Sequence, residues 1–303
     1  MAIPSEKVQS ILGQQDQLAI VIGNGINRYT SPNQADYGWD KLIESLWNNL
    51  SVNTIPIGKD LSLTEAYDII NLSSEGDSEL NERVKSFVDS IKPTNFQGRL
   101  CEKMRAYGIP ILTTNFDLLL EHSIQGLNRY KMKHPDSLKL SFTDFYPWNF
   151  YYSDHELLGP LDGFGIWHIN GIVKYPRSMR LGLTHYMNQV SRVRSFIHST
   201  DLNESFAGKN QNLWKGFNTW LHIIFNCPLL IFGLALDVNE TFLRWLLFER
   251  ERFFSSNPRR RKAGWYLCHK DEVNDGKQFF LQNLGFEIIA FDDYTGLYES
   301  VLQ

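Results

Sequence analysis

The stretch Leu18-Ala19-Ile20-Val21-Ile22-Gly23-Asn24-Gly25-Ile26-Asn27-Arg28 predicts a strand and the turn that follows it. The first five residues are all apolar, which is typical of a strand buried on both faces of a parallel sheet. Two glycines follow, one residue apart, and glycine lets a backbone approach a ligand closely. The dinucleotide-binding fingerprint has a third glycine where Arg28 stands, so the motif is partial. The sequence therefore allows two interpretations of these residues. They form either a phosphate-binding loop or a tight strand-to-helix turn without a ligand.

Six short apolar runs predict strands, and the stretch above holds the first of them. They are residues 18–22, 109–113, 164–168, 229–232, 265–268 and 286–290. Apolar residues recur every three or four positions between the runs, for example from Trp39 to Leu50, and predict helices. Ser62 and Glu65 form a capping-box pattern, and Gly108 is expected to end a helix that includes residues 96–104. This alternation predicts the α/β class, with a Rossmann-like doubly wound parallel sheet.

Four segments carry more specific expectations. Residues 53–107 hold more helices than one crossover needs, so we expect a small helical insertion within a single domain of residues 1–303. Residues 213–225 predict one strongly apolar helix, and Asp237 and Glu240 are candidates to cap the helix that runs to about Phe254. The aromatic residues 142–152 predict a long connection that either lines a pocket or covers the edge of the sheet.

Composition narrows the class of protein. The chain has 303 residues and a net charge of −4, so no general attraction to nucleic acid or anionic membranes is expected, and the basic run 259–262 is interpreted as a solvated loop. No apolar run approaches the roughly 20 residues that span a bilayer, and no secretion signal is recognised. The three cysteines, Cys101, Cys227 and Cys268, lie far apart, which favours reduced core residues of a cytoplasmic protein and excludes a four-cysteine zinc site.

Polar residues follow four of the predicted strands. The segments are residues 23–27, 113–117, 167–171 and 233–237. Ligands in open α/β sheets bind beyond the carboxyl ends of the strands, so these segments are expected to converge on one crevice. Each residue alone has a structural alternative: Thr114 or Asn115 as a helix N-cap, Asp117 as a carboxylate in a first helical turn, and His168 as a hydrogen-bonded core residue.

The four motifs together resemble a known family. Gly-Asn-Gly-Ile-Asn, Thr-Thr-Asn-Phe-Asp, His-Ile-Asn-Gly and Gly-Leu-Ala-Leu-Asp occur in the order and spacing of the sirtuin (SIR2) fold. They resemble its phosphate loop, its Asn/Asp motif, its catalytic histidine and its second nucleotide-binding loop. Leu181-Gly-Leu-Thr184-His-Tyr186 is similar to the SIR2-like branch of bacterial anti-phage defence proteins. The resemblance covers nearly the whole chain.

The resemblance implies a role for each matched residue. Asn115 and His168 would be catalytic: Asn115 would position the water and a ribose hydroxyl, and His168 would accept a proton. Asp117 would hydrogen-bond the nicotinamide carboxamide, and Asp237 would either bind the adenosine ribose or only cap its helix. The implied NAD-binding residues are Gly23, Asn24, Gly25, Ile26, Asn27, Thr114, Asp117, Gly233, Leu234 and Asp237.

Two departures from the family pattern narrow the expected activity. Sirtuin deacylases carry a zinc module of four cysteines, which this chain lacks, so no zinc is expected. Ala235 stands where the second loop normally has Ser or Thr, and Asn24 where sirtuins usually have Ala. The implied activity is that of a defence-type NAD+ glycohydrolase, with NAD+ as substrate and nicotinamide and ADP-ribose as products. A non-catalytic module that binds NAD or ADP-ribose is the alternative, and a protein deacylase is a weaker one.

The resemblance also implies how such an enzyme is controlled. Similar SIR2-like chains are paired with a separately encoded activator or sensor, often a HerA-type ATPase or another nucleotide-handling enzyme. We therefore expect a cytoplasmic homo-oligomer or hetero-oligomer that is silent alone, without membrane attachment or direct contact with nucleic acid.

Overall fold

The computed structural model describes residues 3–14, 17–29, 31, 37–50, 60–74, 77–133, 146–199, 206 and 214–303. Twelve α-helices lie within these ranges: α1 Pro4–Gln14, α2 Gly25–Arg28, α3 Trp39–Leu50, α4 Leu63–Ser73, α5 Asp77–Ser90, α6 Asn95–Tyr107, α7 Leu119–Ser123, α8 Leu183–Ile197, α9 Trp220–Asn226, α10 Thr241–Ser256, α11 Asp275–Asn283 and α12 Tyr294–Leu302. Eight strands form one sheet: β1 Ala19–Ile22, β2 Ile111–Thr113, β3 Asn128–Lys131, β4 Phe150–Ser153, β5 Ile166–His168, β6 Leu229–Phe232, β7 Gly264–His269 and β8 Phe286–Phe291.

The sheet has the strand order β3-β4-β5-β2-β1-β6-β7-β8. The last six strands in this order are parallel to one another: β5, β2, β1, β6, β7 and β8. They are the six strands that the apolar runs predict. Numbered among themselves along the chain, they have the order 3-2-1-4-5-6 of the doubly wound nucleotide-binding fold. The predicted α/β class and Rossmann-like sheet are confirmed. The order reverses between β1 and β6, so their carboxyl ends border the expected crevice.

Both faces of the central strands are covered. Successive side chains of a strand point to opposite faces, and Val21 of β1 and Ile231 of β6 lie in one apolar cluster while Ile22 and Phe232 lie in another. All eight residues of these two strands are buried, which explains their uninterrupted apolar sequences.

Helices α3, α4 and α5 contribute to a third apolar cluster, separate from the two on the sheet. Helix α6 lies instead in the cluster that covers one face of the sheet. The capping box of Ser62 and Glu65 is present at the start of α4, and Gly108 ends α6 in the left-handed conformation at φ 63°. The predicted insertion of residues 53–107 includes residues 53–59, 75 and 76, which lie outside the described residues, and the division into domains stays a prediction.

Two predicted segments need correction. Residues 150–152 of the predicted connection belong to β4, which pairs antiparallel with β3 and β5 near one edge of the sheet. Residues 142–145 lie outside the described residues. The predicted helix over 213–225 begins only at Trp220, because residues 215–218 form a turn and Thr219 caps the helix by accepting from the Leu221 N–H. Residue 213 lies outside the described part of the chain. Aromatic side chains are common in strands and buried turns as well as in helices, so periodicity alone did not separate them.

A buried guanidinium closes the amino end of the sheet. Arg250 on α10 is 1% exposed, and it donates to the backbone carbonyl oxygens of Ile224, Cys227, Lys262 and Ala263. These carbonyls lie near the end of α9 and directly before β6 and β7. Burial lowers the pKa of this guanidinium to about 9.

The described helices include none that combines the length and the apolar character needed to cross a membrane. The basic run 259–262 joins α10 to β7 through a 3-10 turn, and Arg261 in it is paired with Glu251.

Candidate functional site

The two glycine-containing loops at the switch point pack directly against each other. The Gly25 N–H donates to the Gly233 carbonyl over 2.8 Å. A Cβ atom on Gly25 would lie 2.7 Å from the Gly233 Cα and 2.6 Å from the Tyr298 hydroxyl, and one on Gly23 would lie 2.6 Å from a Leu234 methyl carbon. Gly233 itself has a φ of 62°. Close contact between the loops thus requires these glycines, with or without a ligand.

A buried polar network joins the first loop to the end of β2. The Asn27 side-chain amide donates to Asn24 Oδ1 over 3.1 Å and to Asp117 Oδ2 over 2.8 Å. Gln97 on α6 donates to Asn27 Oδ1 over 3.1 Å, and the Leu119 N–H donates to Asp117 Oδ1 over 3.0 Å. Burial raises the pKa of Asp117, although both of these carboxylate hydrogen bonds act to lower it. The Asn27 amide thus has both its nitrogen and its oxygen bonded inside the protein, and Ile26 beside it is fully buried.

Thr114 and Asn115 continue the line of β2 beyond the sheet. The Thr114 N–H donates to the Ile22 carbonyl, and the Asn115 N–H donates to Thr113 Oγ1 over 3.1 Å. The Asn115 side-chain amide lies 3.4 Å from the Gly23 carbonyl, a long contact. Neither residue caps α7, whose N-cap is Leu118.

His168 is bound on both sides within the protein. Its Nδ1 lies 2.9 Å from the Asn115 backbone oxygen and its Nε2 lies 2.8 Å from Oε1 of Glu121, and both side chains of this pair are 2% exposed. Burial lowers the His168 pKa. The negative charge of Glu121 and the hydrogen bonds to Glu121 and to the Asn115 carbonyl raise the pKa by more than burial lowers it, so the net pKa is raised. Because a carbonyl oxygen can only accept, Nδ1 donates to Asn115, while Nε2 is bonded to Glu121, so neither nitrogen is free to accept a proton from a ligand.

A cavity of about 100 Å³ lies beyond the carboxyl ends of the strands. Its walls include four of the site residues that the family resemblance implies: Asn24, Thr114, Asn115 and Asp117. Aromatic side chains of α3, α5, α8 and the β2–α7 loop cover it: Trp39, Phe87, Tyr186 and Phe116. The other expected site residues lie outside this lining: Gly23, Gly25, Ile26, Asn27, His168, Gly233, Leu234 and Asp237.

The cavity is also lined by Asn170, Tyr186 and Glu240, which are not among the site residues expected from the sequence. Asn170 Oδ1, the Tyr186 hydroxyl and Trp39 Nε1 are buried and have no hydrogen-bond partner among the described residues. Buried polar atoms normally have partners, so these atoms mark places where a polar ligand can bond. Asn170 and Tyr186 belong to the quoted motifs, two positions after His168 and Thr184 respectively. The motifs therefore indicated the right segments of the chain but not which of their residues line the cavity.

The loop from β6 to α10, which ends at Glu240, has a strained backbone at Leu236. Leu236 in this loop has a φ of 50°, a conformation that costs a non-glycine residue free energy. The Tyr266 hydroxyl donates to the Leu234 carbonyl and the Arg244 guanidinium donates to the Leu236 carbonyl. Asp237 is exposed and accepts from the Asn239 N–H over 2.8 Å, so it fixes the turn before α10 and does not cap the helix.

A second, more open cleft of about 400 Å³ lies along the start of α6. Arg99 and Glu299 form an ion pair on its wall, with N–O separation 2.8 Å. Tyr29 and Phe96 also line this cleft and form an edge-on aromatic pair. It shares no lining residue with the cavity at the strand ends.

The described residues include no group of three or more His, Cys, Asp or Glu side chains placed to hold a metal ion. All three cysteines are buried and free, as expected, and burial raises the thiol pKa of Cys101 and Cys227 to about 12. No model of a known protein family matches the chain, and no curated protein matches it either.

Proposed function

We propose that the chain is an NAD+ glycohydrolase, which cleaves NAD+ to nicotinamide and ADP-ribose. The observation that carries the proposal is the cavity at the carboxyl ends of a 3-2-1-4-5-6 sheet, lined by Asn115 and Asp117 under an aromatic cover. Aromatic side chains suit a planar pyridinium ring, and amide and carboxyl groups suit a carboxamide and ribose hydroxyls. The SIR2-like resemblance of the motifs points to the same substrate.

The reaction makes limited demands on the protein. The bond between the ribose C1′ and the ring nitrogen breaks, and its electron pair neutralises the pyridinium, so the leaving group needs no general acid. Water then bonds to C1′ and releases a proton to the solvent, so that NAD+ and water give nicotinamide, ADP-ribose and H+. The protein must position the water, stabilise an oxocarbenium-like ribose and exclude other nucleophiles. Asn115 would hold the water and a ribose hydroxyl, and Asp117 would bond the carboxamide.

His168 would act indirectly in this reaction. Its Nδ1 donates to the backbone oxygen of Asn115, so the ring fixes the backbone from which the Asn115 side chain projects. We therefore propose His168 as a positioning residue in place of the base that the family resemblance implies.

A non-catalytic module that binds NAD or ADP-ribose is the second candidate. Two observations favour it: both nitrogens of His168 are bonded inside the protein, and the cavity of about 100 Å³ is smaller than the roughly 300–1,000 Å³ of pockets that enclose whole small-molecule ligands. A cavity of this size accommodates one part of a dinucleotide.

Binding and cleavage must be measured separately to distinguish the two candidates. Equilibrium dialysis with NAD+ and with ADP-ribose measures binding, and chromatography of nicotinamide measures cleavage, for the chain alone and with the product of the neighbouring gene. Nicotinamide release that is lost in Asn115→Ala supports the glycohydrolase. NAD+ that stays bound and intact under both conditions supports the binding module, and a chain that binds neither molecule contradicts both.

The wider role is proposed on the same basis. Depletion of NAD+ would arrest an infected cell, as an abortive-infection effector of anti-phage defence does, and a separately encoded activator would control it in the cytoplasm. A homo-oligomer or hetero-oligomer is the proposed active form.

A further inference from the structure

Glu240 is the residue directly before a long helix. Side chains at this N-cap position, chiefly those of Asp, Asn, Ser and Thr, accept a hydrogen bond from one of the first N–H groups of the helix. Glu240 precedes the sixteen residues of α10 but makes no such bond. Its side chain lines the cavity with Asn115, Asp117 and Asn170.

The surroundings of Glu240 leave its carboxyl group available to a ligand. The cavity's other carboxyl group, on Asp117, already accepts from Asn27 and Leu119. No hydrogen bond of the Glu240 carboxyl to another described residue is found, and three further polar atoms of the lining, on Asn170, Tyr186 and Trp39, are equally unpartnered within the described ranges. When Glu240 is ionised, its negative charge faces the cavity without a cation beside it in the lining.

We infer that Glu240 makes this cavity selective for a ligand group that carries a positive charge. The inference rests on the proposed function for the identity of that group, which is the pyridinium ring of NAD+. The dihydropyridine ring of NADH has nearly the same shape and no charge, so the two dinucleotides differ at the point that Glu240 faces.

The selectivity should depend on pH, because Glu240 attracts a cation only when ionised. Burial, and then the negative charge of Asp237, raise the Glu240 pKa to about 8. The titratable groups that face it are Asp237 on its own loop, Asp117 across the cavity and Tyr186 on α8; the nearest cation on its own helix, Arg244, donates to the Leu236 carbonyl. Binding of a cation favours the ionised carboxylate, and by reciprocity ionisation favours binding of the cation.

The test compares two dinucleotides that the protein cannot cleave at this bond. One is the carbocyclic NAD+ analogue, which keeps the pyridinium but has a methylene in place of the ribose ring oxygen that would stabilise the oxocarbenium ion. The other is NADH. Their dissociation constants are measured by fluorescence or calorimetry between pH 6.5 and 9, for the parent chain and for Glu240→Gln.

In the parent chain the preference for the cationic analogue over NADH should rise about tenfold or more with pH, since one unit of pKa coupling corresponds to a factor of ten. Glu240→Gln should abolish the rise, and the exposed control Glu102→Gln on α6 should keep it. Asp237→Asn should move the rise to lower pH, because it removes the second cause of the raised pKa.

The outcomes separate the two proposals. If both dinucleotides bind and Glu240→Gln keeps the pH-dependent preference, or if the parent chain has none, the inference about Glu240 is wrong and the nucleotide-binding site stands. If the midpoint in Asp237→Asn does not move, the titrating group is not Glu240. If the parent chain binds neither dinucleotide, the proposed function fails and the inference fails with it.

Discussion

Asn115 is the residue at which the proposed chemistry and the observed cavity meet. Its side chain lines the cavity, and among the described residues its one side-chain hydrogen bond is the long one to the Gly23 carbonyl. Asn115→Ala should therefore reduce NAD+ cleavage by roughly 10²–10³-fold, since loss of a positioned catalytic group costs factors of this order. Thermal unfolding should change little, because the N–H and backbone oxygen of Asn115 keep their bonds. Asn128→Ala on the exposed β3 is the matched control, and equal activity in both variants would remove Asn115 from the mechanism.

The buried pair of His168 and Glu121 gives a prediction about the stability of the fold. Removal of one partner of a buried ion pair leaves the other charge unpaired, so His168→Ala should destabilise the fold by about 3–5 kcal/mol. Because the folded-state pKa of His168 is raised, its contribution is fully present below the unfolded value of about 6.5 and is lost as pH rises through the folded value. Denaturant unfolding of parent and variant across pH 5 to 9 measures the difference. A variant that unfolds like the parent but loses all activity would restore the catalytic base.

The sequence alone could not show that Asn170 lines the cavity and that His168 does not. They stand two positions apart at the end of β5, and the chain leaves the strand between them. Glu121, which binds His168, lies 47 residues away in sequence, and no local pattern encodes that contact. Residues such as Asn115 and Asp117 were easier to predict, because they directly follow a strand whose apolar run is unambiguous.

At the scale of elements, the loop–loop contact at the switch point can be tested with two glycines. In Gly25→Ala the new methyl group would meet the Gly233 backbone at 2.7 Å and the Tyr298 hydroxyl at 2.6 Å, so a loss of about 1–3 kcal/mol is expected. Gly13→Ala on α1 is the control, because nothing lies within 4 Å of its Cβ position, and replacing a helical glycine should stabilise by about 0.5–1 kcal/mol. Urea unfolding measures both. Equal stabilities would contradict the packing described for the two loops.

Strands with different surroundings were predictable to different degrees. The apolar runs of β1 and β6 are buried on both faces, and such runs are distinctive in sequence. Strand β3 has the sequence NRYK and lies at the edge of the sheet, where it pairs with β4. Because three of its four residues are exposed, its sequence has neither an apolar run nor the apolar–polar alternation that predicts a strand. Helix α9 was predicted too long for the opposite reason, since buried turns can be as apolar as helices.

At the scale of the whole molecule, the control of the proposed activity is open to test. An unregulated glycohydrolase would exhaust the NAD+ of the cell that makes it, so we expect the purified chain to be silent and to be activated by a separately encoded partner or by assembly. Light scattering gives the mass, and nicotinamide release is measured with and without the neighbouring gene product and its ligand. Full turnover by a lone monomer, unchanged by any partner, would contradict this expectation.

The metal content of the whole chain gives a further test. The sequence lacks a four-cysteine module, and the three thiols are buried. The purified protein should therefore contain less than one zinc per chain by elemental analysis, and chelation should leave its melting temperature unchanged. Stoichiometric zinc, lost together with stability on chelation, would return the deacylase to consideration.

The guanidinium of Arg250 has a consequence for how this protein can diverge. By satisfying four carbonyl oxygens it secures the amino end of the sheet, at the opposite end from the loops that line the cavity. Random substitution should therefore be tolerated unequally along the chain, with little freedom around Arg250 and more at the half-buried Glu240 than at the buried Asn170 and Tyr186. A library that varies Glu240 first is therefore the direct route to a chain of the same fold that accepts a different nucleotide.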